Sequence, residues 1–273
     1  LITKAELHRV AQAQGLRFDQ VEKDYVILWI LSAISSNEIA SSQWVFKGGT
    51  CLRHCFYSGF RFSEDIDFSC QASEANVLNA QSILQQAASD VQEASGILIA
   101  LKDVRASDNQ AQAEILLEYS LRGSRRRGLP LVQSHLTFDE PLYTPTEKRQ
   151  VTPEYSDLRD FEIHTYSKVE IVAEKMRALI QQQEKWPRPR DLYDLWYILC
   201  ERGERFPKEI LKDLFDKKCQ VRSVPPDPSL LTSDTLREWN RQAWEAQLVP
   251  TLLSPPDYDR AWEEWVEISK VIF

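Results

Sequence analysis

Between residues 44 and 70 the chain runs Trp44-Val45-Phe46-Lys47-Gly48-Gly49-Thr50, a short helical pattern, and then Arg61-Phe62-Ser63-Glu64-Asp65-Ile66-Asp67-Phe68. An apolar strand-like run ends in two glycines, and a threonine opens a helix. Glycines let backbone amides approach a phosphate closely, and amides at a helix start point outward with the positive end of the dipole behind them. Gly48, Gly49 and Thr50 are placed for that. In an extended strand residues i and i+2 share a face, so Asp65 and Asp67 project together while Ile66 and Phe68 point to the core. Two hard oxygen ligands on one face suit Mg²⁺, which keeps waters and completes its octahedron from substrate phosphates.

Alone, a Gly-Gly reads as a turn and an Asp-x-Asp as a solvated strand edge; together, at this spacing, they are far more specific. The residues Phe46-Lys47-Gly48-Gly49-Thr50, Leu52-Arg53 and Arg61-Phe62-Ser63-Glu64-Asp65-Ile66-Asp67 resemble the signature of the AbiEii/AbiGii nucleotidyltransferase toxin family, MenT-like members of the DNA polymerase β-like superfamily. The resemblance implies transfer of a nucleoside monophosphate from an NTP to an acceptor, with pyrophosphate leaving. It implies Mg²⁺ on Asp65 and Asp67, and nucleotide contacts from Lys47, Gly48, Gly49, Thr50, Arg61 and Ser63. Family acceptors include transfer RNA 3′ ends, and the toxins are commonly encoded beside an antitoxin. An RNA acceptor and a cognate antitoxin protein are therefore the expected partners.

Composition narrows the alternatives. Hydrophobic residues at 43% and charged residues at 27% of 273 describe an ordinary globular protein. No apolar run approaches the roughly 20 residues that span a bilayer, and no secretory pattern is present, so a cytoplasmic protein without a membrane partner is expected. Cys51, Cys55, Cys70, Cys200 and Cys219 sit in apolar patterns and read as reduced thiols. Cys51 and Cys55 lack the further ligands a zinc site needs. A net charge of −8 excludes a basic-coated surface, so nucleic acid must meet a local patch. The densest basic cluster is Arg122-Gly123-Ser124-Arg125-Arg126-Arg127-Gly128, which reads either as a solvated turn or as a docking place for a nucleic-acid backbone. The Gly-Gly is followed by no Walker lysine, and there is no metal-binding histidine cluster, which argues against a kinase or phosphatase.

In chain order, Thr3 with Glu6 and Asp19 with Glu22 read as capping boxes opening helices over 3–14 and 19–35. Val21, Tyr25, Leu28 and Trp29 form the core stripe of the second, with Glu22 and Lys23 assigned to a solvated face; Glu22-Lys23-Asp24-Tyr25 also resembles the family. A helix over 73–95 is followed by strands over 97–105, 111–121 and 131–138. The middle strand puts Glu114, Leu116, Glu118 and Ser120 on one face. The superfamily often places a third metal carboxylate on such a strand, which makes Glu118 or Glu114 a candidate beside the plain solvent-facing reading. Pro141, Pro145 and Pro153 place a domain boundary within 140–155.

The second half opens with Ser167 and Glu170, another capping box, and a helix through Gln183. Its stripe of Ile171, Val172, Ala178 and Leu179 carries Lys175 in the middle, with Glu170, Glu174 and Arg177 on the solvent side. A helix beginning near Pro189 has Asp191 between Leu195 and Ile198, with Asp194 at the stripe's edge. A buried Lys175 to Asp191 pair fixing helix register is one reading. The passage also resembles the family's downstream motifs, which implies that Lys175 neutralises the triphosphate, Asp191 orients it or assists deprotonation of the acceptor hydroxyl, and Asp194 contacts the nucleotide. Helices over 207–217, 233–247 and 257–271 carry Trp239, Trp244, Trp262 and Trp265 as core bulk.

The fold expected is α+β: a small mixed nucleotidyltransferase-type sheet flanked by helices over 1–150, then a mainly helical half over 151–273, with the site in the cleft between them. Two rival functions share this fold: a catalytically idle module that binds nucleotide or a partner, and a nucleotidyltransferase that modifies a protein.

Overall fold

The computed structural model describes residues 1–71, 75–121, 128–182 and 185–273, and the chain divides into two compact units, Leu1–Tyr166 and Ser167–Phe273. The first unit opens with α1 (Lys4–Gln14), capped by the Thr3 hydroxyl accepting from the Glu6 amide, and α2 (Phe18–Ser36). A short α3 (Ala40–Gln43) leads to β1 (Trp44–Lys47), and α4 (Gly48–Cys51) runs into a wider π-type turn over Leu52–Phe56. Then come β2 (Asp65–Cys70), α5 (Val77–Ser95), β3 (Leu98–Ala106), β4 (Gln112–Ser120), β5 (Leu131–Thr137), β6 (Glu147–Val151) and β7 (Phe161–Thr165).

The seven strands form one mixed sheet in the order β3-β4-β5-β2-β1-β7-β6. The pairs β2/β5 and β1/β7 are parallel and the rest antiparallel. The strand with both aspartates is therefore central. Strand alternation gives the sheet a dry face, where Phe46, Ile66, Phe68, Ile115, Leu117 and Val132 are buried with Val21, Tyr25 and Leu28 of α2 and Leu84, Ala87 and Val91 of α5. The opposite face carries Lys47, Asp67, His135, Glu114 and Arg105 in one cross-strand row.

This architecture is the expected α+β fold, with differences in detail. Strands β6 and β7 belong to the first unit and carry it to Tyr166. The prolines at 141, 145 and 153 flank β6, an edge strand whose Glu-Lys-Arg-Gln-Val sequence has no apolar alternation to announce it. Helix α2 starts at Phe18 with Arg17 as its N-cap, and the Gln20 side chain accepts from the Arg17 amide at 2.9 Å, so Asp19 is not the cap. Glu22 is buried rather than solvated, and Lys23 is paired with Glu64 at 2.8 Å. A helical wheel drawn for α2 alone cannot show that Glu64 reaches Lys23 from outside the helix.

The second unit contains α6 (Lys168–Gln182), α7 (Pro189–Trp196) with a π-type turn over Tyr197–Glu201, α8 (Lys208–Val221), α9 (Asp234–Ala243) and α10 (Tyr258–Ile272). Met176, Leu179, Leu192, Leu195, Phe215, Trp244, Trp262 and Trp265 form its core. The Trp265 indole donates to the Leu231 carbonyl at 2.9 Å, so a large apolar ring is buried without stranding its N–H. Glu170 overturns the solvent-side assignment on α6: it has no exposed surface and is paired at 2.9 Å with an equally buried Lys218 of α8, and Arg177 is buried too. All five cysteines are free thiols, and among the described residues no helix is long and apolar enough to cross a membrane.

Candidate functional site

The β1 to α4 turn is shaped by what presses on its glycines. Gly48 has φ +81°, and a Cβ there would stand 2.0 Å from Asp67 Oδ2. A Cβ on Gly49 would stand 2.5 Å from Arg61 Nη2 and 2.8 Å from Ser63 Oγ. A side chain at either position would have to push these groups aside, and at Gly48 the backbone conformation disfavours one as well. The Thr50 hydroxyl donates to the Asp65 carbonyl at 2.5 Å, and Lys47 lies opposite Asp67 in the β1/β2 ladder. Gly48, Gly49, Thr50, Arg61, Ser63, Asp65 and Asp67 are thus one cluster, in which Arg61 and Ser63 are buried and both aspartates half-buried.

Lys47 sits deeper. It is paired with Glu140 at 3.1 Å, and its ammonium lies 5.3 Å from the Tyr166 ring centroid. The Tyr166 hydroxyl in turn lies 2.6 Å from Ser69 Oγ.

The aspartates have β5 as their other neighbour: Asp65 aligns with Gln133 and Asp67 with His135. Glu114 aligns with His135 and Glu118 with Leu131, one strand further out. Glu114 pairs with Arg105 at 3.4 Å and Glu118 with Lys102 at 3.1 Å. Among the described residues no group of three or more His, Cys, Asp or Glu side chains gathers as a metal site. The donor set that remains is two carboxylates on one half-open strand face. That fits Mg²⁺, a hard ion that takes one or two protein carboxylates and leaves its other positions to water and phosphate oxygens.

In the second unit Lys175 Nζ lies 2.6 Å from Asp191 Oδ1 and 2.7 Å from Asp194 Oδ2. Arg188 Nε donates to the other oxygen of Asp191. All three of Lys175, Asp191 and Asp194 are buried, Asp194 completely. Burial pushes the Asp191 carboxyl up, but Arg188 and Lys175 outweigh it and hold the group well below the usual carboxylate range.

The sequence model described as "Nucleotidyl transferase AbiEii toxin, Type IV TA system" matches residues 29–268. The chain belongs to the AbiEii family. Similar solved structures share its fold at low identity. JHP933 from Helicobacter pylori is 18% identical, with 94% of this chain and 93% of that one covered at a TM-score of 0.60. A putative nucleotidyltransferase from H. pylori is also 18% identical over 94% and 96% of the two chains, at 0.60. The nucleotidyltransferase toxin MenT4 from Mycobacterium tuberculosis H37Rv is 17% identical over 100% and 99%, at 0.58. A comparison with curated proteins finds no match.

Sequence reasoning passed over a buttress beneath the AbiEii cluster. Asp24 on α2 is buried and contacts Arg53 Nε at 3.2 Å and His54 Nε2 at 3.1 Å, and it accepts from the Tyr155 hydroxyl at 2.9 Å. Arg53 also donates to the Phe60 carbonyl at 2.7 Å and to Gln14 Oε1 at 2.5 Å. It therefore ties the glycine helix to the segment that delivers Arg61 and Ser63. Burial raises the Asp24 carboxyl, but His54 and Arg53 hold it well below its ordinary range. The sequence signal was a charge beside Val21 and Tyr25 on a core stripe. Glu140 offered none, since it lies in a proline-punctuated segment. The basic cluster of Arg122 and Arg125 to Arg127 lies outside the described residues.

Proposed function

We propose that this chain transfers a nucleoside monophosphate from an NTP to the 3′ end of a transfer RNA. The acceptor hydroxyl oxygen bonds to the α-phosphorus, the bond to the β-phosphate breaks, pyrophosphate leaves, and the hydroxyl proton passes to solvent. The observation that supports this reading is the fit of Gly48 against Asp67 and of Gly49 against Arg61 and Ser63, which gathers two glycines, a carboxylate and a guanidinium at one turn.

Gly48, Gly49 and Thr50 hold the phosphates through backbone amides, with Ser63 and Arg61 beside them. Asp65 and Asp67 would hold Mg²⁺, and the ion would supply positive charge to screen the α-phosphate. Lys175 neutralises the triphosphate. Asp191, which receives both Lys175 and Arg188 and stays ionised, orients that lysine; a carboxylate so acidic is a poor proton acceptor. Asp194 shares the orienting role. Lys47, in its pair with Glu140, supports the turn from below. The setting is cytoplasmic, with a cognate antitoxin as protein partner.

The test is incubation of the purified protein with each labelled NTP, Mg²⁺ and total RNA. Label should appear on small RNA, from one NTP above the others, with pyrophosphate released and none of it with Asp67→Asn. Label on a protein instead would replace the acceptor; no label from any NTP would leave an idle module.

A further inference from the structure

Seven of the eight tryptophans are buried or half-buried, whereas Trp186 exposes 53% of its surface. It stands in Lys185-Trp186-Pro187-Arg188-Pro189-Arg190, where three cations occur within six residues of a chain whose net charge is −8. An exposed indole offers a broad π face, and cations beside it favour an anionic partner.

The segment is held in place rather than loosely tethered. Pro187 and Pro189 restrict their own φ angles. The Arg188 amide donates to Asn240 Oδ1 at 3.1 Å, and Asn240, itself without exposed surface, donates back to the Leu236 carbonyl at 2.9 Å. Arg190 Nε is anchored on the Gln247 carbonyl at 3.1 Å. Lys185 is exposed, and among the described residues its ammonium has no partner. The Arg188 side chain is engaged with Asp191, which links this segment to the Lys175 cluster.

We propose that Trp186 is a stacking platform for an unpaired base near the end of the RNA acceptor, with Lys185 and Arg190 at the flanking phosphates. This rests on the nucleotidyl-transfer reading and names where the acceptor is held. A π face flanked by cations on a preset backbone is the recurring design for single strands, because every base offers a face to stack while the phosphates supply the charge. The platform belongs to the segment that leads into α7, so a strand end held there approaches the Lys175 cluster through the same rigid element.

The test is binding of a labelled, unstructured RNA oligonucleotide, with the acceptor and NTP KM values measured in parallel. Trp186→Ala should weaken oligonucleotide binding by about 5- to 150-fold, the cost of losing one stacked base, and raise the acceptor KM without a matching change in the NTP KM. Trp186→Phe should restore much of the loss and Trp186→Leu little of it. Unchanged binding by Trp186→Ala would overturn the proposal. Equal rescue by Leu and Phe would also overturn it, since that marks a plain apolar contact such as a protein partner's. Should wild-type protein bind the oligonucleotide through Trp186 yet label no RNA, the transfer reading fails and the platform stands. RNA labelling with an acceptor KM indifferent to Trp186 overturns the platform and leaves the transfer reading standing, and absence of both binding and labelling ends both.

Discussion

In the first unit the candidate groups are held by shape. Gly48 and Gly49 leave no room for a methyl group, and Asp67, Arg61 and Ser63 fill the space their missing side chains vacate. In the second unit they are held by charge: Lys175 is gripped by Asp191 and Asp194, and Asp191 by Arg188. The aspartates of the first unit are half-open, while the lysine and carboxylates of the second are buried. A half-open carboxylate can be altered without unsettling the core, whereas a buried ion pair is part of the core it sits in. Site and stability should therefore separate in one unit and coincide in the other.

The largest expected effect is at Lys175. Lys175→Met keeps the stem but removes the ammonium shared by two buried carboxylates, and stability should fall by about 3–5 kcal/mol in urea titrations of ligand-free protein. An unchanged unfolding midpoint would erase the contrast between the units. The folded fraction should also fail to bind triphosphate; activity that merely tracks folding would confine Lys175 to architecture. Gly48→Ala comes next. The positive φ alone costs about 1–3 kcal/mol, and the new Cβ displaces the Asp67 carboxylate, so transfer should be lost with a moderate fall in melting temperature. Asp65→Asn and Asp67→Asn should shift stability by about 1 kcal/mol or less while abolishing transfer. A loss there as large as at Lys175 would show that the first unit, too, is built on its charges.

The smallest effect is in the acid limb of stability. Asp24 and Asp191, one in each unit, are both held below the ordinary carboxylate range. A depressed folded value means that their contribution is complete above about pH 4 and is lost as pH falls through the folded values. Asp24→Asn and Asp191→Asn should each flatten the decline of melting temperature in acid. A decline equally steep in both variants would place the acid sensitivity elsewhere.

Much of this was legible because it is local. A strand, two glycines and an alternating Asp-x-Asp are separated by few residues, so the β1, α4 and β2 assembly could be seen before any tertiary contact was known. Lys175 and Asp191 stood out for the same reason, as charges on apolar stripes. Glu170 did not, because its partner Lys218 lies on another helix and a wheel shows only one helix at a time. Asp24 was passed over because Arg53 and His54 approach it from a distant segment. Strand β6 was invisible for want of pattern: a sheet-edge run of Glu-Lys-Arg-Gln has no need of apolar alternation.

The parallel pairings carry a consequence for synthesis. β2 rests between β1 and β5, and β1 takes its other neighbour from β7, where Phe46 meets Thr165. At ordinary ribosomal rates the aspartates emerge on the order of 5–20 s before β7 does. Through that interval the candidate carboxylates stand on β2 while β1 still lacks its parallel neighbour. A chain interrupted before Thr165 leaves the β1 edge of the sheet unpaired and open to another strand.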